Sequence, residues 1–255
     1  MTLRLPGRWD ELTSREFETL DAEATVAILP VGASEQHGPH LPLGTDAMLA
    51  GAVSRDVADA VNGLVAPTLS YGYKSQPKCG GGQHFDGTTS LDASTLIGQV
   101  RDTVREFVRH GARKLVVVNG HYENQWFLIE GIDLAMREVR GSGIEIMRLE
   151  YWDFFTAPTL ARIFPEGFPG YALEHAAVLE TSMMLHYHPG LVRLDLIPTD
   201  GPADFPPYDV YPTRTQWVPP SGVLSSAKTA DRAKGELMAV ELTREISAAV
   251  RKELG

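Results

Sequence analysis

The chain has 255 residues, a length that fits one large α/β domain or two small ones. Its 23 basic and 33 acidic residues give a net charge of -10, which argues against nucleic acid or an anionic membrane as a partner. No run approaches about 18 apolar residues, no signal-peptide pattern is present, and the single cysteine, Cys79, excludes an intrachain disulfide. We therefore expect a soluble, cytoplasmic protein with one domain over residues 1–255, because no linker divides the chain.

The first part of the chain predicts a short helix, a buried strand and a longer helix. Thr13 or Ser14 could cap a short surface helix within residues 1–22. The apolar run Val26–Val31 has the length and composition of a buried strand. Thr45 is a candidate N-cap for a helix that starts at about Asp46. The apolar positions of that helix recur with a helical period, at Leu49, Val53, Val57 and Val61.

The rest of the chain alternates between helix and strand patterns. Helical periodicity marks three further segments, at residues 91–110, 124–140 and 226–254. Ser90 or Asp92 could cap the first of them. Short apolar runs at residues 114–118 and 144–149 are typical of buried strands. Strands that alternate with helices predict a three-layer α/β/α fold with a mostly parallel sheet.

Polar clusters follow two of the expected strands. Glu35 and His37 come just after the first strand, and His121 and Glu123 follow the strand that precedes them. Each cluster holds a histidine and a carboxylate two residues apart, so both face the same side if the chain is extended. Asp46 returns to the same end of the sheet at the start of its helix. Because ligands bind beyond the carboxyl ends of strands in an open α/β sheet, we expect these five side chains to share one site.

These five side chains form a mixed set of nitrogen and oxygen ligands. One hydrolytic zinc ion with an open position needs about three protein ligands, whereas five suit two divalent ions that share a bridging carboxylate. Imidazole ligands favour zinc or manganese over calcium, which prefers oxygen. Paired ions lie about 3.5 to 4 Å apart, and a bound ion can lower the pKa of water from about 15.7 to about 7. The sequence thus predicts two divalent ions per subunit, zinc and/or manganese.

Three other stretches leave alternatives open. Cys79 lies in a glycine-rich loop and could be a thiolate nucleophile with His84 or His121 as its base. The aromatic side chains around Trp152 fit either core packing or a wall of a binding site. Residues 170–180 read as a helix of small residues whose polar side chains fit either surface polarity or a helix that packs close to another part of the protein.

At these motifs the chain resembles a known family, the creatininases or creatinine amidohydrolases. The resemblance rests on Ser-Glu-Gln-His-Gly-Pro-His-Leu-Pro-Leu-Gly-Thr-Asp at residues 34–46 and on Asn-Gly-His-Tyr-Glu-Asn at residues 119–124. It continues through shorter motifs at residues 78–82, 151–154, 174–182 and 224–230. The likeness covers almost the whole chain and implies a creatininase-like fold.

The resemblance implies how the ligands are divided between the two ions. Glu35, Asp46 and His121 would bind one ion. His37, Asp46 and Glu123 would bind the other. Asp46 is then the bridging carboxylate.

The resemblance also implies roles around the substrate. His175 would transfer protons at the scissile amide and is expected to be catalytic together with Glu123. The residues expected to contact substrate are Cys79, Tyr122, Trp152, Tyr171, Glu174 and His175, with Glu180 in a supporting role. The family carries serine at the place of Cys79 and Trp-Asp at the place of Tyr171 and Ala172, so these differences bear on the substrate.

Three hypotheses follow. The first is a two-metal amidohydrolase that opens a cyclic amide, with creatinine and water giving creatine reversibly. The second keeps the metals and changes the substrate to another cyclic amide or lactam, a formamide or a peptide. The third, from another class, is a metal-free Cys79 amidase or a non-catalytic binding module.

The resemblance also implies a homohexamer. Residues 199–221 carry six prolines and can form neither a regular helix nor a central strand. A structureless stretch of this length usually has a function. We interpret it as an arm that lies over a neighbouring subunit, with a meandering surface loop as the alternative.

Overall fold

The computed structural model describes residues 7–255 and contains a four-stranded parallel sheet. Its strands are β1 (Val26–Val31), β2 (Gly63–Val65), β3 (Lys114–Asn119) and β4 (Glu145–Glu150), in the order β2-β1-β3-β4. Val31 at the end of β1 pairs with Asn119 at the end of β3. Because both central strands end at the same level, the segments that follow them lie side by side.

Helices cover both faces of the sheet. They are α1 (Ser14–Phe17), α2 (Thr45–Val61), α3 (Pro77–Gly80), α4 (Ala93–Arg109), α5 (Gln125–Glu138), α6 (Ala157–Ile163), α7 (Val178–Tyr187) and α8 (Arg232–Leu254). Helices α2, α7 and α8 pack on one face, and α4 and α5 pack on the other. The predicted three-layer α/β/α fold is confirmed. Within residues 7–255, no helix is both long and apolar enough to cross a membrane.

The two faces of the sheet divide the hydrophobic core into two clusters. On β1, Ile28 packs toward α2 and α8, whereas its neighbour Leu29 packs toward α4. On β3, Val116 and Val117 separate in the same way. Successive side chains of a strand point to opposite faces, so a continuous apolar run is what a strand covered on both sides requires. This is why the short runs in the sequence identified the central strands.

Helix α2 begins one residue before its expected start, and Thr45 is not its cap. Gly44 occupies the N-cap position and makes no side-chain hydrogen bond, while Thr45 is the first helical residue. The Thr45 hydroxyl instead donates to the carbonyl oxygen of Pro42 at 2.7 Å. Thr45 therefore stabilises the preceding loop. By contrast, Thr13 caps α1 with a full capping box. Thr13 was one of the two caps that the sequence offered, the other being Ser14.

The last helix begins later than the sequence periodicity indicated. Helix α8 starts at Arg232 rather than at residue 226, and the side chain of Asp231 caps it by accepting from the backbone N–H of Lys234 at 2.8 Å. The six residues before Arg232 are not helical and contain one turn, beside which the hydroxyl of Ser226 accepts the backbone N–H of Lys228 at 3.3 Å. The first backbone N–H groups of a helix have no partner within the helix, and an aspartate just before the helix can accept a hydrogen bond from one of them. Asp231 therefore sets the start of α8.

The proline-rich segment, residues 199–221, contains no α-helix or strand, as expected. Its one regular piece is a short 3-10 helix, Thr215–Trp217. Ala203 and Val218 are buried with Leu224 in a small separate cluster, against which Phe85 packs. Between these anchors the segment exposes large side chains, including 79% of Tyr211. The segment is thus attached to its own chain at both ends.

Candidate metal centre and active site

The two histidine and carboxylate pairs lie on neighbouring loops at the carboxyl end of the sheet. The first pair follows β1 and the second follows β3. The start of α2 reaches into the space between them, and a Cβ atom at Gly120 would lie 2.5 Å from the backbone oxygen of Asp46. Glycine at position 120 therefore allows the amino terminus of α2 to bring Asp46 against both loops.

Asp46 joins the two loops through separate oxygens. Its Oδ2 lies 3.0 Å from Nδ1 of His121, and its Oδ1 lies 2.9 Å from Nε2 of His37. Nδ1 of His121 is also 3.2 Å from Oε1 of Glu35, and Nε2 of His37 is 3.6 Å from Oε2 of Glu180. The first four residues named expose no more than 2% of their surface. One carboxylate shared between two imidazoles is the arrangement expected of a bridging ligand.

Three sets of potential ligand atoms lie within 4.8 Å of one another in the described part of the chain. They are Glu35, Asp46 and His121; His37, Asp46 and Glu180; and Glu35, His37 and His175. The first set has the composition that the sequence indicated. The second set contains Glu180 where the resemblance implies Glu123. Glu180 was expected only in a supporting role.

Glu123 lies beside the cluster and outside these three sets. Its Oε1 accepts the backbone N–H of Gln76 at 2.6 Å, and its Oε2 is 3.5 Å from Nε2 of His121. The bond from Gln76 turns one Glu123 oxygen toward the glycine-rich loop. The sequence pattern does not predict this bond. Two side chains that are two residues apart face the same site only if the chain stays extended after the strand. Here a 3-10 helix begins at Tyr122.

Backbone carbonyls orient both imidazoles of the centre. Nδ1 of His37 lies 3.2 Å from the carbonyl oxygen of Glu35, and Nε2 of His121 lies 3.0 Å from that of Tyr73. Since a carbonyl can only accept, each of these nitrogens carries the hydrogen. The opposite nitrogens, Nε2 of His37 and Nδ1 of His121, face Asp46 and are the ones whose lone pairs would bind an ion. This is the usual arrangement of histidine ligands in metal sites.

The donor set fits a pair of divalent cations. Oε2 of Glu35 and Oε2 of Glu123 are buried without a hydrogen-bond partner. Nε2 of His37 and Oδ2 of Asp46 lie close to groups of opposite charge, but they also have no hydrogen-bond partner. Buried polar atoms are almost always paired, so four such atoms in one cluster need an explanation. A cation that binds their lone pairs supplies one.

The charges at the centre also favour cations. Burial opposes protonation of His37 and His121, yet the neighbouring carboxylates raise both pKa values well above 6.5. Burial raises the pKa of Glu35, and it raises that of Glu123 to about 7. For Asp46, burial acts in the same direction, but the two imidazoles outweigh it and lower the pKa. The cluster thus attracts positive charge, which divalent ions provide.

A cavity beside the cluster opens to solvent, and together with the solvent space at its mouth it has an empty volume of about 470 Å³. All six residues expected to contact substrate line it, namely Cys79, Tyr122, Trp152, Tyr171, Glu174 and His175. Glu180 lines it as well, together with Tyr151 and Phe155 from the aromatic cluster around Trp152 and with Leu179, which the sequence did not indicate. The rings of Tyr122 and Trp152 are nearly parallel, with centroids 6.0 Å apart. The aromatic cluster therefore contributes both to the core and to a wall of this cavity.

The segment at residues 170–180 is not the continuous helix that its composition predicted. It contains a 3-10 turn at Tyr171–Leu173, a left-handed residue at Ala176 with φ of 55°, and the start of α7 at Val178. Oε2 of Glu180 accepts the backbone N–H of Ala176 at 2.6 Å, which stabilises the break. The break directs His175 toward Glu35, with Nδ1 of the imidazole 3.6 Å from Oε1. Burial and the charge of His37 lower the pKa of His175 well below 6.5.

Cys79 faces the cavity as a thiol. Burial raises its pKa to about 12, and the negative charges of Glu123 and Glu35 act in the same direction. A catalytic cysteine needs a lowered pKa, because the thiolate is the nucleophile. The environment of Cys79 therefore opposes the hypothesis of a cysteine amidase.

Known proteins resemble this chain over nearly its full length. Residues 10–250 match the creatininase family model, described as creatinine amidohydrolase. The creatinine amidohydrolase of Pseudomonas putida is 52% identical over 248 residues, which are 95% of each chain. A mycofactocin precursor peptide peptidase of Mycobacterium ulcerans is 32% identical and aligns with 84% of this chain and 80% of its own.

Solved creatininase structures share the fold. A manganese form and a mutant complexed with creatine are each 50% identical, cover 97% of this chain and 98% of their own, and superpose with TM-scores of 0.93 and 0.94. A mutant described as a Zn-Zn type is 49% identical with a TM-score of 0.94 and the same coverage. From the family match, the identity to the Pseudomonas enzyme and these superpositions, we conclude that the chain belongs to the creatininase family of metal-dependent amidohydrolases.

Proposed function

We propose that this protein opens the ring of creatinine by hydrolysis to give creatine. One observation carries the proposal: a buried cluster of carboxylates and imidazoles, arranged around Asp46, forms one wall of a cavity lined by aromatic side chains. The Pseudomonas relative, a creatinine amidohydrolase, and the solved creatininase with creatine support the choice of substrate.

Two divalent ions, zinc and/or manganese, are the cofactors in this proposal. Glu35, Asp46 and His121 would bind one ion, and His37, Asp46 and Glu180 would bind the other. When bound, paired ions supply Lewis-acid polarisation of a carbonyl and a deprotonated water near neutral pH. The manganese and zinc forms of solved creatininases support both metals.

His175 moves the proton in the proposed reaction. Its lowered pKa keeps the imidazole neutral at pH 7, so Nδ1 can accept the hydrogen that remains on the attacking oxygen once that oxygen has bonded to the ring carbonyl carbon. The same imidazole then donates that proton to the ring nitrogen that leaves. Glu123, whose pKa burial raises to about 7, is the second group able to exchange a proton near neutral pH.

The other cavity residues orient the substrate. Trp152 and Tyr171 present aromatic surface to a flat ring, which stacks favourably on such faces. Burial raises the pKa of Glu174 to about 8, so its carboxyl is protonated at pH 7 and can donate a hydrogen bond. Oε1 of Glu174 has no hydrogen-bond partner and is available for substrate. Cys79 and Tyr122 also line the cavity.

A second candidate keeps the metals and changes the substrate. Ala172 stands where the resembled family carries aspartate, so a carboxylate that could recognise a polar ring edge is missing. The peptidase relative at 32% identity favours a peptide among the alternatives. Other cyclic amides, lactams and formamides belong to the same candidate.

Turnover of creatinine by the metal-loaded enzyme decides between these candidates. We expect creatinine to be hydrolysed faster than a panel of other cyclic amides, a formamide and a short peptide. His175→Ala should bind metal normally but lose roughly 100-fold or more in turnover, the usual contribution of a general acid or base. Faster hydrolysis of another substrate than of creatinine would overturn the choice of substrate, and full turnover by the variant would remove His175 from the mechanism.

The same proposal includes a homohexamer, with the arm at residues 199–221 over a neighbouring subunit. The exposed aromatic rings of Tyr208 and Tyr211 on this arm support it, as does Trp126, of which 72% is exposed. Light scattering of the metal-loaded protein should give the mass of six chains, and a monomer mass would contradict it. One catalytic domain over residues 1–255 and a cytoplasmic location stay predictions.

A further inference from the structure

The side chain of Gln36 lies buried between two metal-ligand residues and contacts three loops. Its Nε2 donates to the carbonyl oxygen of Gly80 at 3.0 Å in the glycine-rich loop and to that of Gly222 at 2.9 Å just after the proline-rich arm. Its Oε1 accepts the backbone N–H of Gly38 at 2.9 Å. The Gln36 amide therefore links the loop after β1, the glycine-rich loop and the end of the arm.

The backbone of these loops packs tightly around the amide. A Cβ atom at Gly222, which has φ of 79°, would lie 2.2 Å from Oε1 of Gln36. A Cβ atom at Gly81 would lie 2.7 Å from Nε2. Both positions need glycine for this approach. Because backbone surrounds the amide on two sides, its orientation is fixed.

The hydrogens of this amide are fully used. Nε2 of Gln36 carries two hydrogens, and the carbonyls of Gly80 and Gly222 can only accept, so each takes one. Nε2 of His175 also lies 2.8 Å from Nε2 of Gln36, but no amide hydrogen remains to be donated to it. The same imidazole nitrogen lies 2.8 Å from the backbone oxygen of Gln36, which likewise can only accept. The hydrogen between them must therefore come from Nε2 of His175.

We propose that Gln36 is a positioning residue that holds His175 as the tautomer with its hydrogen on Nε2, so that Nδ1 is the atom that exchanges the proton with substrate. The backbone oxygen of Gln36 accepts the Nε2 hydrogen, and the side-chain amide holds that part of the loop in place. Nδ1 then keeps a lone pair toward the metal cluster, 3.6 Å from Oε1 of Glu35. The catalytic part of this inference rests on the proposed function. The tautomer itself does not.

Nitrogen NMR of histidine-labelled, zinc-loaded protein tests the tautomer directly. His175→Asn identifies the signals of His175 by their disappearance. We expect a protonated Nε2 and an unprotonated Nδ1 in the wild-type protein at pH 7, and the reverse pattern would overturn the proposal. This measurement needs neither turnover nor a folded Gln36 variant, so it separates failure of this inference from failure of the proposed substrate.

A double-mutant cycle tests whether Gln36 acts through His175. Gln36→Met keeps the length of the side chain but removes the donors. We expect it to retain both metal ions, to show a second tautomer of His175, and to lose roughly 10- to 100-fold in kcat, the cost of a misplaced catalytic group. Added to His175→Ala, it should cause no further loss, because the group it positions is already absent. Gln99→Met, at an exposed position of α4, is the matched control.

Two results of the cycle would overturn the proposal. One is a Gln36→Met variant with a single tautomer and full kcat. The other is a double variant whose loss in kcat equals the product of the two single losses, which would mean that Gln36 acts independently of His175.

Discussion

Asp46 presents one carboxylate oxygen to each of two imidazoles, and this division organises the proposed metal centre. Its position depends on contact between the start of α2 and Gly120 rather than on sequence neighbours. His37 and His121 each give one ring nitrogen to a backbone carbonyl and the other to Asp46. The residues of the centre thus have defined orientations, which is what a binding site needs.

Glu180 and Glu123 are the two candidates for the last ligand of the second ion. Glu180 lies with His37 and Asp46, although its Oε2 also accepts the backbone N–H of Ala176. Glu123 accepts the bond from Gln76 with Oε1 and leaves Oε2 without a partner. We predict that Glu180→Gln lowers the metal content from about two ions per chain to about one, because an amide oxygen is a weaker ligand than a carboxylate. Glu123→Gln, the matched variant, should retain about two. Elemental analysis of both purified proteins measures this, and the opposite result would restore the ligand set expected from the sequence.

The raised pKa of Glu174 makes the free energy of unfolding fall as the pH rises. Burial raises its pKa from 4.5 to about 8, so the folded protein binds a proton that the unfolded chain releases between those values. Its contribution is present below about pH 4.5 and is lost as the pH rises through about 8, by up to about 1.4 kcal/mol per pH unit.

Glu174→Gln should remove this loss, because it keeps an oxygen for the bond from Leu179 and carries no charge. Urea unfolding of zinc-loaded wild-type and variant proteins at pH 6 and pH 8 measures the effect. We expect the variant to gain stability relative to the wild type as the pH rises. Parallel behaviour of the two proteins would show that Glu174 does not carry this proton.

At the scale of elements, α7 and α8 pack closely through a glycine. A Cβ atom at Gly235 on α8 would lie 2.0 Å from the backbone oxygen of Ser182 on α7. We predict that Gly235→Ala lowers the free energy of unfolding by about 1–3 kcal/mol, the usual cost of overpacking. Gly98→Ala is the matched control, since Gly98 lies within α4 with no atom within 4 Å of the added methyl group.

The control should be neutral or should stabilise the protein, by up to about 1 kcal/mol, because alanine favours a helix over glycine. Denaturant unfolding of both variants measures the pair of effects. Equal effects of the two substitutions would show that the contact between α7 and α8 is looser than the structure indicates.

The elements differ in how well their sequences predict them. β1 and β3 are continuous apolar runs between covered faces, so their pattern was sufficient, and α2, α4, α5 and most of α8 followed from their periodicity. β2 has only three residues, Gly63–Val65, and the break at Ala176 depends on a bond from Glu180. A strand of only three paired residues gives no periodic pattern in the sequence, and neither does a hydrogen bond to a side chain further along the chain. This is why a continuous helix was predicted over residues 170–180. The start of α8, by contrast, is set by the cap at Asp231, a local signal that the apolar periodicity does not include.

The site shows the same limit. Its five expected ligands come from two strand ends and one helix start, which the order of elements in a parallel sheet brings to one edge. The structure brings Glu35, His37, Asp46 and His121 together there. Glu180 and the positioning contacts of Gln36 depend on how α7 and the arm return to that edge, and no local pattern records this return.

For the whole molecule, the metal cluster connects the layers of the fold. The loops after β1 and β3, the start of α2 and the start of α7 all contribute potential ligand atoms. The net charge of -10 and the carboxylates buried at this edge both favour bound cations. Binding of ions should therefore stabilise the entire fold as well as the site.

The metal content of the carefully purified protein tests the account most directly. Elemental analysis after dialysis should give about two divalent ions per chain, zinc and manganese counted together, as a centre bridged by Asp46 requires. Fewer than one ion per chain would contradict the account, because the buried lone pairs of Glu35, His37 and Asp46 would then have no partner.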